Sequence, residues 1–480
     1  MMQLANYING AFVPAADGAT LDDIEPATGA LLATVPASGA ADVEAAARAA
    51  RAAADGAWGR ASTAERADLC DAIADAIAAD LDRFAELESR DTGKPLRVAR
   101  TVDIPRAVEN FRFFAGAVRH SATEMHEMAD AINYTLRRPL GVVGLITPWN
   151  LPIYLLSWKV APALATGNAV VAKPSEITPL TGHALAEVVH GLGAPAGAFN
   201  LVHGYGHQVG AAMTAHPSID GISFTGGTAT GKHVATSAGA TFKKVSLELG
   251  GKNATVVFDD VEVDAVLPEI ARASFLNQGQ ICLCGSRLLV HRSVQDRVVD
   301  GLVALAEQYR IGDPRDPDTQ FGSLTSHAHR EKVEGYVALA QREGGTVRTG
   351  GTRPELPGEL AGGAFLRPTV ITGLSPACRT STEEIFGPVV TVHPFDTEEE
   401  AVAIANSVQY GLAASVWTND LKRAHRVSAA LHTGMVWVNC WLKRDLRVPF
   451  GGVKASGVGR EGGKYSLSFY TSDKNVCIQL

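Results

Sequence analysis

Cysteine is scarce in this chain. Six residues in 480 make no disulfide framework, which suits a reducing cytoplasm. No long basic run occurs and the formal net charge is -8, so nucleic acid is excluded as the main partner. The opening residues, Met1 to Tyr7, lack the basic start and apolar stretch of a secretion signal. Long apolar runs are missing as well: the longest region, Leu151 to Val171, is interrupted by Lys159, Pro162, Gly167 and Asn168 and does not read as a membrane span. No internal repeat or low-complexity linker stands out. What remains is a chain long enough for about three domains, with sizeable buried cores.

The order of elements follows from periodicity and turn residues. Ser62-x-x-Glu65 forms a capping box for a helix whose apolar positions include Leu69, Ile73, Ile77, Leu81 and Phe84. Asp91-Thr-Gly-Lys-Pro95 is expected to stop that helix. From Gly141 to Leu249 strands and helices alternate, with strands at 141–147, 168–172, 199–202, 220–224 and 244–248. Such alternation, with short Val/Ile-rich strands, predicts a parallel sheet covered on both faces. A second alternating block runs from 254 to about Asn439, with strands expected at 254–258, 286–291, 388–394 and 412–417. The segments 118–139 and 462–480 fit neither block and carry alternating apolar residues near charges.

Three pieces carry chemistry. Phe275 to Arg287 reads as a helix ending in a functional turn, Asn277-Gln-Gly-Gln280, just before Cys282 and Cys284. No His or further Cys sits nearby to complete a metal site, so no metal is expected. Leu247-Glu-Leu-Gly-Gly-Lys-Asn253 places a lone carboxylate, Glu248, between leucines. Thr147-Pro-Trp-Asn-Leu-Pro152 follows a strand and ends in an amide donor, Asn150. A thiol nucleophile, a carboxylate base and an amide donor are the parts that acyl chemistry through a thioester requires.

Together these pieces resemble the aldehyde dehydrogenase superfamily, nearly end to end. The resemblance implies an α/β fold with a Rossmann-like cofactor domain (1–117 and 140–250), a catalytic domain (251–439) and a small β oligomerisation arm (118–139 and 462–480). It leaves 440–461 as a substrate loop and return segment. It selects Cys282, two residues after Gly279-Gln280, as the nucleophile and leaves Cys284 to packing. It gives Asn150 the oxyanion and Glu248 the hydrolytic water. NAD is the implied cofactor, held first by Ile146, Thr147, Pro148 and Trp149. Lys173, Ser175 and Glu176 would meet the adenosine ribose, where a carboxylate accepts from a 2′-hydroxyl but repels a 2′-phosphate. Gly206, Leu249 and the turn Phe224-Thr225-Gly226-Gly227 complete the nucleotide cradle, a helix N-terminus meeting the pyrophosphate. The family usually has Ser and Glu where Gly227 and Ala229 stand, which leaves only backbone contacts there. Glu384 and Phe386 resemble the motif that holds the nicotinamide ribose. A homodimer or homotetramer is implied, because unpaired arm strands need a partner.

The loop Asn439 to Lys454 is unusually cationic before its Pro-Phe-Gly-Gly, with Lys443, Arg444 and Arg447. With Arg106 it resembles the 2-aminomuconate and 2-hydroxymuconate semialdehyde dehydrogenases. Guanidinium groups clamp a carboxylate well, so Arg106 and Arg444 are assigned to the substrate carboxylate and Arg447 to a subunit contact. The alternatives are a broad aliphatic or betaine aldehyde dehydrogenase and, outside enzymes, a nucleotide-binding protein without turnover.

Overall fold

The computed structural model describes residues 2–480. Its first sheet has eight strands, of which five are mutually parallel. Across the sheet these are Phe199–Leu201, Ala169–Lys173, Val142–Ile146, Gly221–Thr225 and Lys244–Glu248. The chain steps outward from Val142–Ile146 to Ala169–Lys173 and Phe199–Leu201. It then returns to the other side of Val142–Ile146 for the last two. That reversal opens a crevice at the carboxyl ends of Val142–Ile146 and Gly221–Thr225, where an α/β sheet takes its ligand. Every residue of Val142–Ile146 and Ala169–Lys173 is buried, as strands covered on both faces must be.

The seven-stranded second sheet runs Thr346–Thr349, Thr369–Thr372, Val389–Phe395, Arg287–His291, Ala254–Val257, Ala413–Trp417, Met435–Val438. All its pairings are parallel except that of the edge strand Thr346–Thr349. A return segment ties the two halves: Gly457–Val458 pairs antiparallel with Leu247 and Glu248. The strand that ends at Glu248 is therefore fixed by neighbours on both sides, Thr225 and Gly457.

Two expectations need correction. The Ser62 capping box forms as read, with the Glu65 N–H on Ser62 Oγ at 3.2 Å and the Ser62 N–H on Glu65 Oε2 at 2.6 Å. The helix it opens ends at Ala79, and a second spans Leu81–Thr92. Asp80 closes the first and starts the second, and its carboxylate takes Arg83 at 3.0 Å. Ile73 and Ile77 on the first helix and Phe84 on the second are all fully buried. The second correction concerns 462–480. Its first part is a helix, Gly463–Phe469, whose Leu467 packs with Tyr470 into the main core. Only Thr471–Gln479 joins Ala131–Pro139 and Met125–Glu127 in a separate three-stranded sheet. Among the described residues no helix is long and apolar enough to cross a membrane.

Candidate active site

Cys282 follows a turn whose backbone few residues tolerate. After the helix Val263–Phe275, Asn277, Gln278 and Gly279 follow with φ of 53°, 56° and 70°. Two consecutive non-glycine residues in the left-handed region cost on the order of 1–3 kcal/mol each and persist only where surroundings enforce them. The surroundings are visible. A Cβ on Gly279 would collide with the Gly387 carbonyl, so this turn is pressed against the loop carrying Glu384 and Phe386. Asn253 donates Nδ2 to the carbonyls of Cys282 (2.6 Å) and Cys284 (3.0 Å), while its Oδ1 accepts the Ala413 N–H. Burial, reinforced by Glu384 and Glu248, pushes the Cys282 thiol up, with Arg444 pulling the other way. Cys284 packs in an apolar cluster with Leu283 and Trp441, and its thiol rises to about 12.

Asn150 faces the same turn, donating Nδ2 to the Gln280 carbonyl at 2.8 Å. That bond orients the amide and leaves its second N–H for another acceptor. The Asn150 carbonyl is held by Asn277 Nδ2 at 3.1 Å and Lys94 Nζ at 3.3 Å. Lys94 is fully buried and pairs with Asp103 at 2.6 Å. Gly93, with φ of 76°, makes the turn that brings it inside. Lys94 escaped the sequence reading because Gly-Lys-Pro looked like nothing more than a helix stop.

Glu248 is buried, and neither carboxylate oxygen has a hydrogen-bond partner in the protein. Burial raises its carboxyl well above the usual range and Glu461 adds to the effect, against Lys159, Arg460 and Arg444. A Cβ on Gly451 would stand 2.6 Å from Glu248 Oε1, so the Phe450-Gly-Gly turn has glycine there for space. Behind Glu248, Glu461 accepts from Lys159 Nζ and Trp158 Nε1, both at 2.7 Å, and Lys159 also donates to Ser223 Oγ at 2.7 Å. Sequence reasoning missed Glu461 and Lys159; they lie 302 residues apart and no local pattern joins them.

Cys282 and Asn150 line one cavity of about 290 Å³ with Pro148, Trp149, Thr225, Gly226, Gly227, Leu249, Glu384, Phe386 and Arg444. Glu248 lies just behind that wall. Glu384 accepts the Gly251 N–H at 2.8 Å, and burial raises its carboxyl. Trp149 meets Phe386 edge-on at 5.2 Å and His329 at 4.8 Å. His329 and Lys332 share this wall, although the sequence reading gave them no role.

Ile146, Thr147, Lys173, Ser175, Glu176, Gly206 and Phe224 lie off the cavity, at or just past the carboxyl ends of the parallel strands. Lys173 Nζ donates to Glu176 Oε2 at 3.1 Å. Burial works against the Glu176 carboxylate, but Lys173 and backbone N–H groups including that of Gly206 bring it below its ordinary range. The Thr147 and Thr225 hydroxyls are buried without a partner. The helix Thr228–Gly239 begins at Gly227 with no side-chain cap, and a Cβ on Gly227 would meet nothing within 4 Å. Orphaned hydroxyls beside an uncapped helix start fit a phosphate-bearing ligand at this edge. Among the described residues no group of three or more His, Cys, Asp or Glu is placed to hold a metal.

The three arginines separate. Arg444 lines the cavity, its guanidinium 4.0 Å from the Phe450 ring centre and 5.2 Å from that of Trp158, with Nη1 donating to Tyr154 Oη at 3.0 Å. No carboxylate among the described residues pairs with it. Arg106 is not on the lining: its guanidinium lies over Tyr154, 5.8 Å from the ring centre, and pairs with Glu109 at 3.4 Å. Arg447, expected at a subunit contact, is exposed and pairs with Asp445 of its own loop at 2.6 Å.

A family model described as "Aldehyde dehydrogenase family" matches residues 12–476. The chain is 51% identical over 486 residues to a 2-hydroxymuconic semialdehyde dehydrogenase of Pseudomonas sp. strain CF600, covering all of both proteins. It is 45% identical over 483 residues to the human 2-aminomuconic semialdehyde dehydrogenase, covering 100% of this chain and 99% of that one. Among solved structures, a betaine aldehyde dehydrogenase of Staphylococcus aureus in complex with NAD+ superposes with a TM-score of 0.97. It is 39% identical, over 100% of this chain and 96% of that one.

Proposed function

The chain belongs to the aldehyde dehydrogenase family and is an aldehyde-oxidising oxidoreductase; from that premise we propose that it oxidises a muconate-type semialdehyde, 2-hydroxymuconic or 2-aminomuconic, with NAD. One observation carries the substrate reading: an unpaired guanidinium, Arg444, lines the same cavity as Cys282. Arg444 is half-buried and has no carboxylate partner in the protein, and a substrate carboxylate would supply that charge. A betaine aldehyde, bearing a trimethylammonium, would instead meet repulsion from Arg444.

In the proposed reaction Cys282 Sγ loses its proton to solvent and adds to the aldehyde carbon. The free N–H of Asn150 and the Cys282 backbone N–H receive the developing oxyanion. Bound nicotinamide supplies the hydride acceptor. Glu248 then takes a proton from the water that cleaves the Cys282 thioester, releasing the acid and restoring the thiol. Glu461 and Lys159 sit behind Glu248 and set the field in which it holds that proton.

Glu248→Gln is expected to form the thioester and hydrolyse it slowly, giving a burst near one NADH per site and then a slow phase. Since burial raises both Glu248 and Cys282, their basic forms gather only as pH rises. Wild-type turnover should therefore climb from neutral into alkaline pH, and the hydrolytic part of that climb should vanish in Glu248→Gln. Steady turnover without a burst would place Glu248 earlier in the reaction.

The test of the substrate reading compares 2-hydroxymuconic semialdehyde with hexanal. A charge-assisted pair contributes roughly 1.5–3 kcal/mol, about a tenfold to hundredfold effect. Arg444→Ala should raise the Michaelis constant for the carboxylated aldehyde by that amount and leave hexanal nearly untouched, with Arg106→Ala smaller because Arg106 is off the lining. Wild-type efficiency on hexanal equal to that on the semialdehyde would end the proposal.

Glu176, kept ionised beside Lys173, supports NAD over NADP, and Glu176→Gln should narrow that preference. We assign 1–117 and 140–250 to the NAD-binding domain, together with the helix Gly463–Phe469, and 251–439 to the catalytic domain. Residues 118–139 and 471–480 then form an arm for a homodimer or homotetramer. Six free cysteines fit the cytoplasm proposed for it.

A further inference from the structure

Tyr154 stands between the two arginines given to the substrate carboxylate. It lies on the helix Pro152–Ala165, one turn before Trp158, so both rings share the face turned to Arg444. Its hydroxyl accepts Nη1 of Arg444 at 3.0 Å, and its ring carries the Arg106 guanidinium at 5.8 Å. Both contacts follow from how neighbouring elements dock. Asn110 donates Nδ2 to the Tyr154 carbonyl at 3.2 Å and to Ser157 Oγ at 3.0 Å, locking the helix Ile104–Arg119 onto Pro152–Ala165. Arg106 is one turn before Asn110 on that helix, so the lock delivers it to the Tyr154 ring. Arg444 is delivered from the other side. Trp441 Nε1 donates to the Leu283 carbonyl at 3.0 Å, and Leu442 takes a φ of 57°, which fixes the loop beside Cys282.

A phenol that accepts from a guanidinium keeps its own proton to donate. Tyr154 and Arg444 both line the cavity and meet at the Tyr154 hydroxyl, so that proton can meet a carboxylate oxygen whose other contact is Arg444. We infer that Tyr154 is a specificity-determining residue: its hydroxyl orients Arg444 and donates to the substrate carboxylate, and its ring positions Arg106. The inference rests on the carboxylated-semialdehyde reading above and names the group that joins its two cations.

The decisive variant is Tyr154→Phe, which keeps the ring and removes the hydroxyl. With 2-hydroxymuconic semialdehyde its Michaelis constant should rise about tenfold. The turnover number should stay near wild type, as should both constants for hexanal. Tyr154→Leu also removes the ring, so adding Arg106→Ala to it should cause little further loss. A merely structural tyrosine would give equal losses on both aldehydes, and that result overturns the inference. Multiplying effects of Tyr154→Leu and Arg106→Ala would overturn the ring's part. Arg444→Ala in the same assay separates the two levels. If it loses selectively and Tyr154→Phe does not, only the Tyr154 inference falls. If it loses nothing selectively, the carboxylate reading falls and this inference with it.

Discussion

Cys282→Ala is expected to abolish aldehyde oxidation while NAD still binds, the largest effect any single change should have. The reacting sulfur has no substitute: Cys284 is two residues away but packs with Leu283 and Trp441 and does not line the cavity. Attack needs the thiolate, and of the two thiols Cys282 is the one on the cavity lining, where Arg444 opposes the upward push of burial. The proposed nucleotide edge, with Glu176 and Gly226, follows the strands Ala169–Lys173 and Gly221–Thr225 of the first sheet, and Cys282 precedes Arg287–His291 of the second, so dinucleotide affinity by fluorescence titration should match wild type. An active Cys282→Ala with a dead Cys284→Ala would reverse the assignment.

Asn150→Ala should lower turnover on the order of 10²–10³-fold, the usual consequence of removing one oxyanion donor. The amide is pre-oriented by the Gln280 carbonyl, and its backbone is held by Lys94 and Asn277. Little reorganisation then remains at the moment of reaction, which is what makes such a donor effective. The loss should appear in the turnover number more than in the Michaelis constant, because the charge it meets exists only after attack. A deuterated aldehyde would show whether hydride transfer limits the measured rate. An unchanged rate under that limit would remove Asn150 from the mechanism.

The order of strands and helices between 141 and 248 followed from local sequence alone. Short Val- and Ile-rich runs between glycine turns leave few other structures, and each strand formed within two residues of where its pattern put it. The motif residues were legible for the same reason: Asn150 follows the strand Val142–Ile146, Glu248 ends the strand Lys244–Glu248, and Cys282 stands in the turn ahead of Arg287–His291. Tertiary structure decided what depends on distant partners. Asp80, with φ of −112° and ψ of 28°, divides a helix whose apolar spacing runs on unbroken. Residues 463–469 leave the arm because Leu467 has a core to enter. Sequence treated Arg106 and Arg444 as equivalents, whereas packing puts Arg444 on the cavity and Arg106 over Tyr154. Arg444 meets Tyr154 across 290 residues, and Glu461 meets Trp158 across 303. Periodicity and turn chemistry act over a few residues, so pairings at such separations are set only when the two halves of the chain pack together.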